Sequence, residues 1–233
     1  MGAEYINGIL RYCLWMDGAD PAALLKLPLV RERVGHMREI RLQSKKAAIQ
    51  KKAATPWLFD EVRPSKGDSY IAAPSVSSGR RKYVPMGFVS NGMIPGNKLF
   101  FISDGGLYEF GILESQFQNA WMRLVAGRLK SDYNFSNTIV YNNFVWSDAT
   151  PEQLSRIEAC AQAALDARAA HPDATLVKTY DPDNCFLFPD VMAAHSALDA
   201  AVKAAYGVDF KGDEKKIVAH LFKLYAEKTG RAE

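Results

Sequence analysis

The sequence predicts an α+β protein, in which a small mixed β-sheet domain with flanking helices precedes a C-terminal helical bundle. Between residues 55 and 106, short runs of β-branched and aromatic residues alternate with Pro and Gly, which is typical of short strands joined by turns. From residue 148 onward, apolar residues recur at the spacing of amphipathic helices. We therefore expect a helical connector over residues 1–54, a core domain over residues 55–147 and a helical domain over residues 148–233.

The first half is expected to hold a long helix, several short strands and a second helix. The long helix is predicted over residues 28–54, because Pro28 can occupy its first turn and a later proline ends it. The second helix is predicted over residues 116–125, with Ser115 as its N-cap. Between the two helices, the strand-like runs are residues 70–73, 82–89 and 99–103.

The second half is expected to begin with a buried strand and to continue with helices. Residues 137–146 are rich in β-branched and aromatic side chains, which favour strands. Thr150 and Gln153 then have the spacing of a capping box, which opens a helix. Further helices are predicted from Pro189 and from Asp213.

The composition is that of an ordinary globular protein of 233 residues, with 48% hydrophobic and 24% charged residues. No apolar run reaches the roughly 18 residues of a transmembrane helix, and no signal peptide is visible, so we expect a cytoplasmic protein without a membrane partner. Cys13, Cys160 and Cys185 are too far apart for a zinc pair and are expected to be free thiols. His195 and His220 lie on or beside apolar helix faces and are expected to be packed or surface histidines rather than metal ligands.

Positive charge is concentrated in the first part of the chain. Residues 1–147 hold 19 Lys and Arg against 12 Asp and Glu, whereas residues 148–233 hold 10 against 14. This asymmetry suggests a polyanion-binding surface in the first part. The candidate phosphate contacts lie in the long predicted helix and in a basic triplet beside a Ser-rich turn; they are Arg41, Lys45, Arg80, Arg81 and Lys82. For the helix, the alternative is a solvated surface helix without a ligand.

A polar segment follows the helix predicted over residues 116–125. Gly127 opens it, and Arg128, Lys130, Asp132 and Asn134 then occupy every second position. In an extended chain this spacing places all four side chains on one face. Such side chains supply the donors and acceptors that recognise base edges in the DNA major groove. On the pattern alone, the alternative is a solvated loop between a helix and a strand.

The sequence motifs of several enzyme classes are missing from the chain. Neither the glycine-rich loop for S-adenosylmethionine nor the Asn/Asp-Pro-Pro-Tyr/Phe motif that holds a flipped adenine occurs, and a PD-(D/E)xK nuclease motif is also missing. Residues 141–144 contain Asn and aromatic side chains but no proline, and we interpret them as structural. The phosphate-loop, GxSxG and HExxH motifs do not occur either. We therefore predict no catalytic, cofactor-binding or metal-binding residues in this chain.

Several segments of the chain resemble the C-terminal part of the MmeI-like DNA methyltransferases, which methylate adenine at N6. In order, they are NGILRYCLW from Asn7, VPMGF from Val84, AWMR from Ala120, GRLKSDYNFS from Gly127 and TIVYNNF from Thr138. The resemblance covers nearly the whole chain. It implies a target-recognition domain and a helical C-terminal domain, cut away from a catalytic part that uses S-adenosylmethionine, so the fragment itself is expected to be inactive. The implied partners are double-stranded DNA and the N-terminal methyltransferase domain of the parent chain.

The resemblance also implies roles within GRLKSDYNFS. The residues on either side of its Ser, Lys130 and Asp132, would set specificity at one base pair, and Asn134 would help to recognise a neighbouring pair. Apart from these implied roles, Arg128 is expected to contact the DNA backbone, like the other basic candidates. The ammonium of Lys130 suits guanine O6 and N7, and the carboxylate of Asp132 suits cytosine N4, so we expect a G·C pair. The alternatives from other classes are a protein–protein or regulatory module without DNA specificity and, more weakly, a small-molecule enzyme with an unrecognised site.

Overall fold

The computed structural model of the chain describes residues 2–61, 69–90 and 92–230, in two compact units. One unit is Arg11–Pro64, and the other combines Met1–Leu10 with Ser65–Glu233. In chain order the helices are α1 (Gly2–Ile6), α2 (Pro21–Leu24), α3 (Pro28–Leu42), α4 (Ala47–Lys51), α5 (Leu107–Leu113), α6 (Gln116–Val125), α7 (Pro151–Ala169), α8 (Leu176–Thr179), α9 (Pro189–Ala205) and α10 (Glu214–Lys228). The strands are β1 (Ser69–Pro74), β2 (Val76–Ser77), β3 (Gly87–Ser90), β4 (Leu99–Ser103), β5 (Gly127–Leu129) and β6 (Asp132–Asn134).

The single helix predicted over residues 28–54 is wrong, because the chain breaks between α3 and α4. Ser44 lies in the break and takes hydrogen bonds that a continuous helix would use. Its hydroxyl accepts from the backbone N–H of Lys46 at 3.2 Å, and its carbonyl accepts from the side chain of Gln50 at 2.8 Å. Serine competes with helical hydrogen bonding in this way. A 3₁₀ turn over Lys52–Ala54 follows α4.

The strands of the larger unit form antiparallel sheets. Within the described residues there are two three-stranded sheets, ordered β3-β1-β4 and β2-β6-β5. The α+β class is confirmed, although the strands do not form one mixed sheet. The strands predicted over residues 70–73 and 99–103 are confirmed as β1 and β4, and central Ile71 pairs with Phe88 on one side and Ile102 on the other.

The strand predicted over residues 82–89 forms only at its end, as β3. Before β3, the backbone N–H of Val84 donates to Oδ1 of Asn119 at 2.8 Å, and that of Met86 donates to Oε1 of Glu114 at 2.6 Å. Buried backbone groups need partners, and here two buried side chains take the place of a neighbouring strand.

The buried strand predicted over residues 137–146 is also wrong. The segment forms a π-helical turn over Asn137–Tyr141, capped by the side chain of Ser136, and continues without a regular element. Its burial comes from core packing. Val140 is fully buried, and its carbonyl accepts from the indole N–H of Trp121 at 3.1 Å. The aromatic and β-branched composition therefore indicated burial here, and not strand pairing.

The C-terminal helices α7, α9 and α10 pack against the rest of the larger unit and share its hydrophobic core. Thr150 and Gln153 form the predicted capping box at the start of α7, and Asp213 caps α10. Phe117 of α6 stacks on Tyr206 at 4.5 Å between ring centroids. The helices predicted in this region are thus confirmed. None of the helices in the described part of the chain combines the length and the hydrophobicity that crossing a bilayer requires.

Candidate nucleic-acid interface

The polar segment after α6 is a β-hairpin, which we call the reading hairpin (residues 127–134). β5 and β6 pair antiparallel, with Arg128 opposite Tyr133 and Leu129 opposite Asp132, and Lys130 and the next residue form a two-residue turn. Lys130 has a φ of 58°, which is unusual for a residue other than glycine. The prediction of one extended segment with four side chains on one face is therefore wrong, because the turn folds the segment back on itself.

The register divides the candidate side chains between the two faces of the hairpin. Directly opposite residues share a face, and successive residues alternate. Arg128 therefore lies on the face of Tyr133, whereas Asp132 and Asn134 lie on the other face. Lys130 is at the tip. The three residues predicted to contact bases thus lie at the tip or on one face of the hairpin. Arg128 lies on the opposite face.

The three candidate base-contacting residues keep polar groups available. Lys130 and Asn134 are exposed. Asp132 is half-buried, and its Oδ1 accepts from the backbone N–H of Gly79 at 3.3 Å. Within residues 2–61, 69–90 and 92–230, its Oδ2 accepts no hydrogen bond. The tip can therefore offer an ammonium donor, a carboxylate acceptor and an amide to a ligand.

Arg128 is engaged inside the hairpin. Its guanidinium lies over the ring of Tyr133, 3.8 Å from the centroid, and donates to the carbonyl of Ser131 at 3.1 Å. Tyr133 is itself buried in the core. These contacts give Arg128 a structural role, which competes with the predicted contact to the DNA backbone.

The hairpin is fixed to the rest of the unit by a third strand. β2 pairs with β6 and aligns Ser77 with Tyr133. The backbone N–H of Phe135 donates to the carbonyl of Ser75 at 2.9 Å, and Phe135 is buried against Phe100. One end of the hairpin is therefore held in the packed core. Precise recognition of nucleic-acid bases requires such a rigid support.

The basic triplet borders the acidic loop between α8 and α9. Arg80 is exposed and donates to both carboxylate oxygens of Asp183 at 2.7 Å, which raises its pKa. Arg81 is half-buried; burial lowers its pKa, while the charges of Asp181 and Asp132 oppose that shift. Lys82 is exposed, with its Nζ 4.9 Å from the centroid of the adjacent Tyr83 ring.

The two remaining phosphate candidates lie in the unit Arg11–Pro64. The guanidinium of Arg41 donates to the carbonyls of Lys52 at 2.8 Å, Thr55 at 2.9 Å and Leu58 at 2.6 Å. It therefore holds the segment that follows α4 against α3. Lys45 lies exposed between α3 and α4.

A buried charge cluster, which the sequence did not reveal, joins the segment before β3 to α7 and α9. It consists of Tyr83, Glu114, Arg168, Tyr180 and His195. Arg168 and Glu114 form an ion pair of 2.8 Å, and Arg168 donates to the carbonyl of Met86 at 2.5 Å. His195 stacks on Tyr83 at 4.3 Å and shares a hydrogen bond of 2.6 Å with the Tyr180 hydroxyl.

The protonation of this cluster suits a structural role. Burial raises the pKa of Glu114, and the charge of Arg168 offsets part of that rise. Burial, together with the positive charges of Arg168 and Lys82, lowers the pKa of His195 to about 3, so this histidine is neutral near pH 7. His195 is fully buried, so of the packed and surface positions that the sequence leaves open it takes the packed one. The described residues contain no group of His, Cys, Asp and Glu that could hold a metal ion.

Comparisons with known proteins agree along the whole chain. The family described as "MmeI, target recognition domain" matches residues 1–148, and "MmeI, C-terminal domain" matches residues 149–232. A relative described as "DNA methyltransferase A" from Bacillus subtilis (strain 168) is 36% identical over 229 residues, covering 98% of this chain and 26% of the relative. A solved structure of the type IIL restriction–modification enzyme MmeI in complex with DNA matches with a TM-score of 0.94 and 36% identity, covering 98% of this chain and 30% of that chain. The chain thus spans between a quarter and a third of these proteins.

Proposed function

The chain belongs to the MmeI family, and we propose that it recognises a specific sequence in double-stranded DNA for a site-specific adenine-N6 methyltransferase. The matched relatives, a DNA methyltransferase and an enzyme solved in complex with DNA, support this proposal. Because the chain spans only part of their length, methyl transfer and S-adenosylmethionine would belong to a methyltransferase domain that acts together with it. Action on DNA also suits the cytoplasmic location that the sequence suggests.

The observation that carries the proposal is the tip of the reading hairpin, where a cation and a carboxylate flank one turn residue. The ammonium of Lys130 can donate to guanine O6 and N7, and the free Oδ2 of Asp132 can accept from cytosine N4. The two side chains together suit one G·C pair, with guanine on the strand nearer Lys130. Asn134, on the same face as Asp132, would contact a neighbouring pair.

The proposed phosphate contacts are those of the predicted basic side chains that the fold leaves at least partly accessible and not committed to internal hydrogen bonds. Lys45 and Lys82 are exposed. Arg80 is paired with Asp183, but an exposed ion pair contributes little to stability, so Arg80 can leave the carboxylate of Asp183 and bind a phosphate instead. Arg81 would complete the triplet from its half-buried position. Arg41 is left out, because a phosphate contact would compete with its three hydrogen bonds to carbonyl groups.

Selection of bound duplexes from a random pool, at a series of salt concentrations, tests this function. We expect the bound fraction to converge on one sequence with a fixed G·C pair. The logarithm of the binding constant should fall linearly with the logarithm of salt concentration, with a slope of about −0.9 for each phosphate contacted. Binding without sequence preference, or no binding, would contradict the proposal and favour a protein-interaction module.

A further inference from the structure

We propose that Gly79 and Arg128 are positioning residues, which fix the turn of the reading hairpin so that Lys130 and Asp132 meet one base pair. Neither would contact a base. The inference rests on the proposed function of the hairpin and assigns two residues through which the fold controls it.

Gly79 lies against the turn from the neighbouring Ser-rich segment. A Cβ atom at this position would lie 2.6 Å from the carbonyl oxygen of Ser131, a distance that real Cβ atoms do not reach. The obstacle is a backbone atom, which cannot rotate away as a side chain can. Gly79 does not have a positive φ, so its missing side chain serves this close approach. Its N–H also donates to Oδ1 of Asp132.

Arg128 holds the same carbonyl from the hairpin itself. Its guanidinium donates to the Ser131 oxygen at 3.1 Å while it stacks on Tyr133. The carbonyl between the two base-contacting residues is thus enclosed by Gly79 on one side and held by a guanidinium from another. Because Tyr133 is buried, this support is continuous with the core.

The turn depends on such support because Lys130 has a positive φ of 58° without being glycine. A residue in this conformation persists only where its surroundings determine it. Displacement of the Ser131 carbonyl would move both neighbours, Lys130 and Asp132. Base recognition needs close hydrogen-bond geometry, whereas attraction to phosphate charge tolerates small shifts. Loss of either support should therefore weaken discrimination at one base pair and leave general affinity nearly unchanged.

The matched variants Gly79→Ala and Gly92→Ala test the role of Gly79. Each adds one methyl group at a glycine without a positive φ, but Gly92 lies outside the hairpin and a Cβ atom there meets nothing within 4 Å. Binding is measured to the selected duplex and to duplexes substituted at each base pair in turn. For Gly79→Ala we expect discrimination to fall about tenfold or more at the pair assigned to Lys130 and Asp132, with an unchanged salt slope. Gly92→Ala should match the wild type.

Arg128→Lys separates positioning from phosphate contact. Lysine keeps the charge but loses the planar guanidinium that both stacks and donates. Positioning predicts relaxed discrimination at the same single base pair, whereas a phosphate contact predicts unchanged discrimination. Thermal melting of each variant shows whether it is folded. If Gly79→Ala does not fold, the discrimination measured for Arg128→Lys decides the positioning role.

Discrimination equal to wild type in both Gly79→Ala and Arg128→Lys, or relaxation at many positions together, would overturn the inference. If the wild-type chain selects no sequence, the proposed function itself fails, and this inference with it. If the wild type selects a sequence that depends on Lys130 and Asp132 while both variants behave as wild type, only the positioning role is wrong.

Discussion

The chain contains two pairs of oppositely charged residues in different surroundings, one pair buried in the core and one at the surface. Glu114 and Arg168 form an ion pair of 2.8 Å, with side chains 0% and 10% exposed, inside the buried charge cluster. Lys130 and Asp132 lie at the tip of the reading hairpin, where the ammonium is exposed and one carboxylate oxygen accepts no hydrogen bond from the described residues. The first pair is committed to partners within the fold, and the second remains open to a ligand.

The difference shows which charges of the molecule can recognise another molecule. Burial removes water from Glu114 and Arg168, and this loss is offset only while the two groups face each other. The hairpin residues remain partly hydrated and can exchange water for base edges at little cost in folding free energy. Sequence patterns alone do not separate the two cases, because both use ordinary charged residues.

Neutralising the buried pair should have the largest effect. Glu114→Gln leaves the charge of Arg168 without a counterion in a buried site, so we expect the free energy of unfolding to fall by about 3–5 kcal/mol. Urea unfolding measures this change. The control Lys130→Gln should stay within about 0.5 kcal/mol of the wild type, because that charge is exposed. Equal midpoints for the two variants would show that the buried pair contributes no more to stability than the exposed charge of Lys130.

The sequence predicted those parts of the fold that depend on local signals. Ser115, Thr150 and Asp213 accept hydrogen bonds from backbone N–H groups within three residues, so each helix start follows from a few neighbouring side chains. The segment before β3 was mistaken for a strand, since its partners Glu114 and Asn119 are distant in the sequence.

The site shows the same limit. The chemistry of Lys130 and Asp132 was visible in the sequence, and the resemblance assigned it a role, which stays a prediction. The hairpin was not visible, because its Lys-Ser turn lacks the Asn-Gly or Asp-Gly signal of a tight turn. Its support comes from Gly79, which is 53 residues away from Asp132. Tertiary contacts of this kind leave no local pattern.

A smaller effect, on DNA affinity, is expected from the exposed ion pair between Arg80 and Asp183. Asp183→Asn should free Arg80 for phosphate, so affinity for all duplexes should rise roughly two- to fivefold with unchanged sequence preference. Asp173→Asn is the matched control. Asp173 is exposed, and its substitution changes the net charge by the same amount without releasing an arginine. Filter binding at several salt concentrations measures both. Equal affinities of the two variants would show that Arg80 does not contact phosphate.

Exchange of the two charges at the hairpin tip tests whether Lys130 and Asp132 recognise one G·C pair. Duplex selection is carried out with the double variant Lys130→Glu, Asp132→Arg and with the wild-type chain. Donor and acceptor then change places, so the preferred pair should switch from G·C to C·G at one position, where discrimination is worth about 1–3 kcal/mol. Affinity that depends on phosphate should mostly persist. An unchanged recognition sequence, or relaxed preference at several positions together, would show that Lys130 and Asp132 do not recognise this base pair.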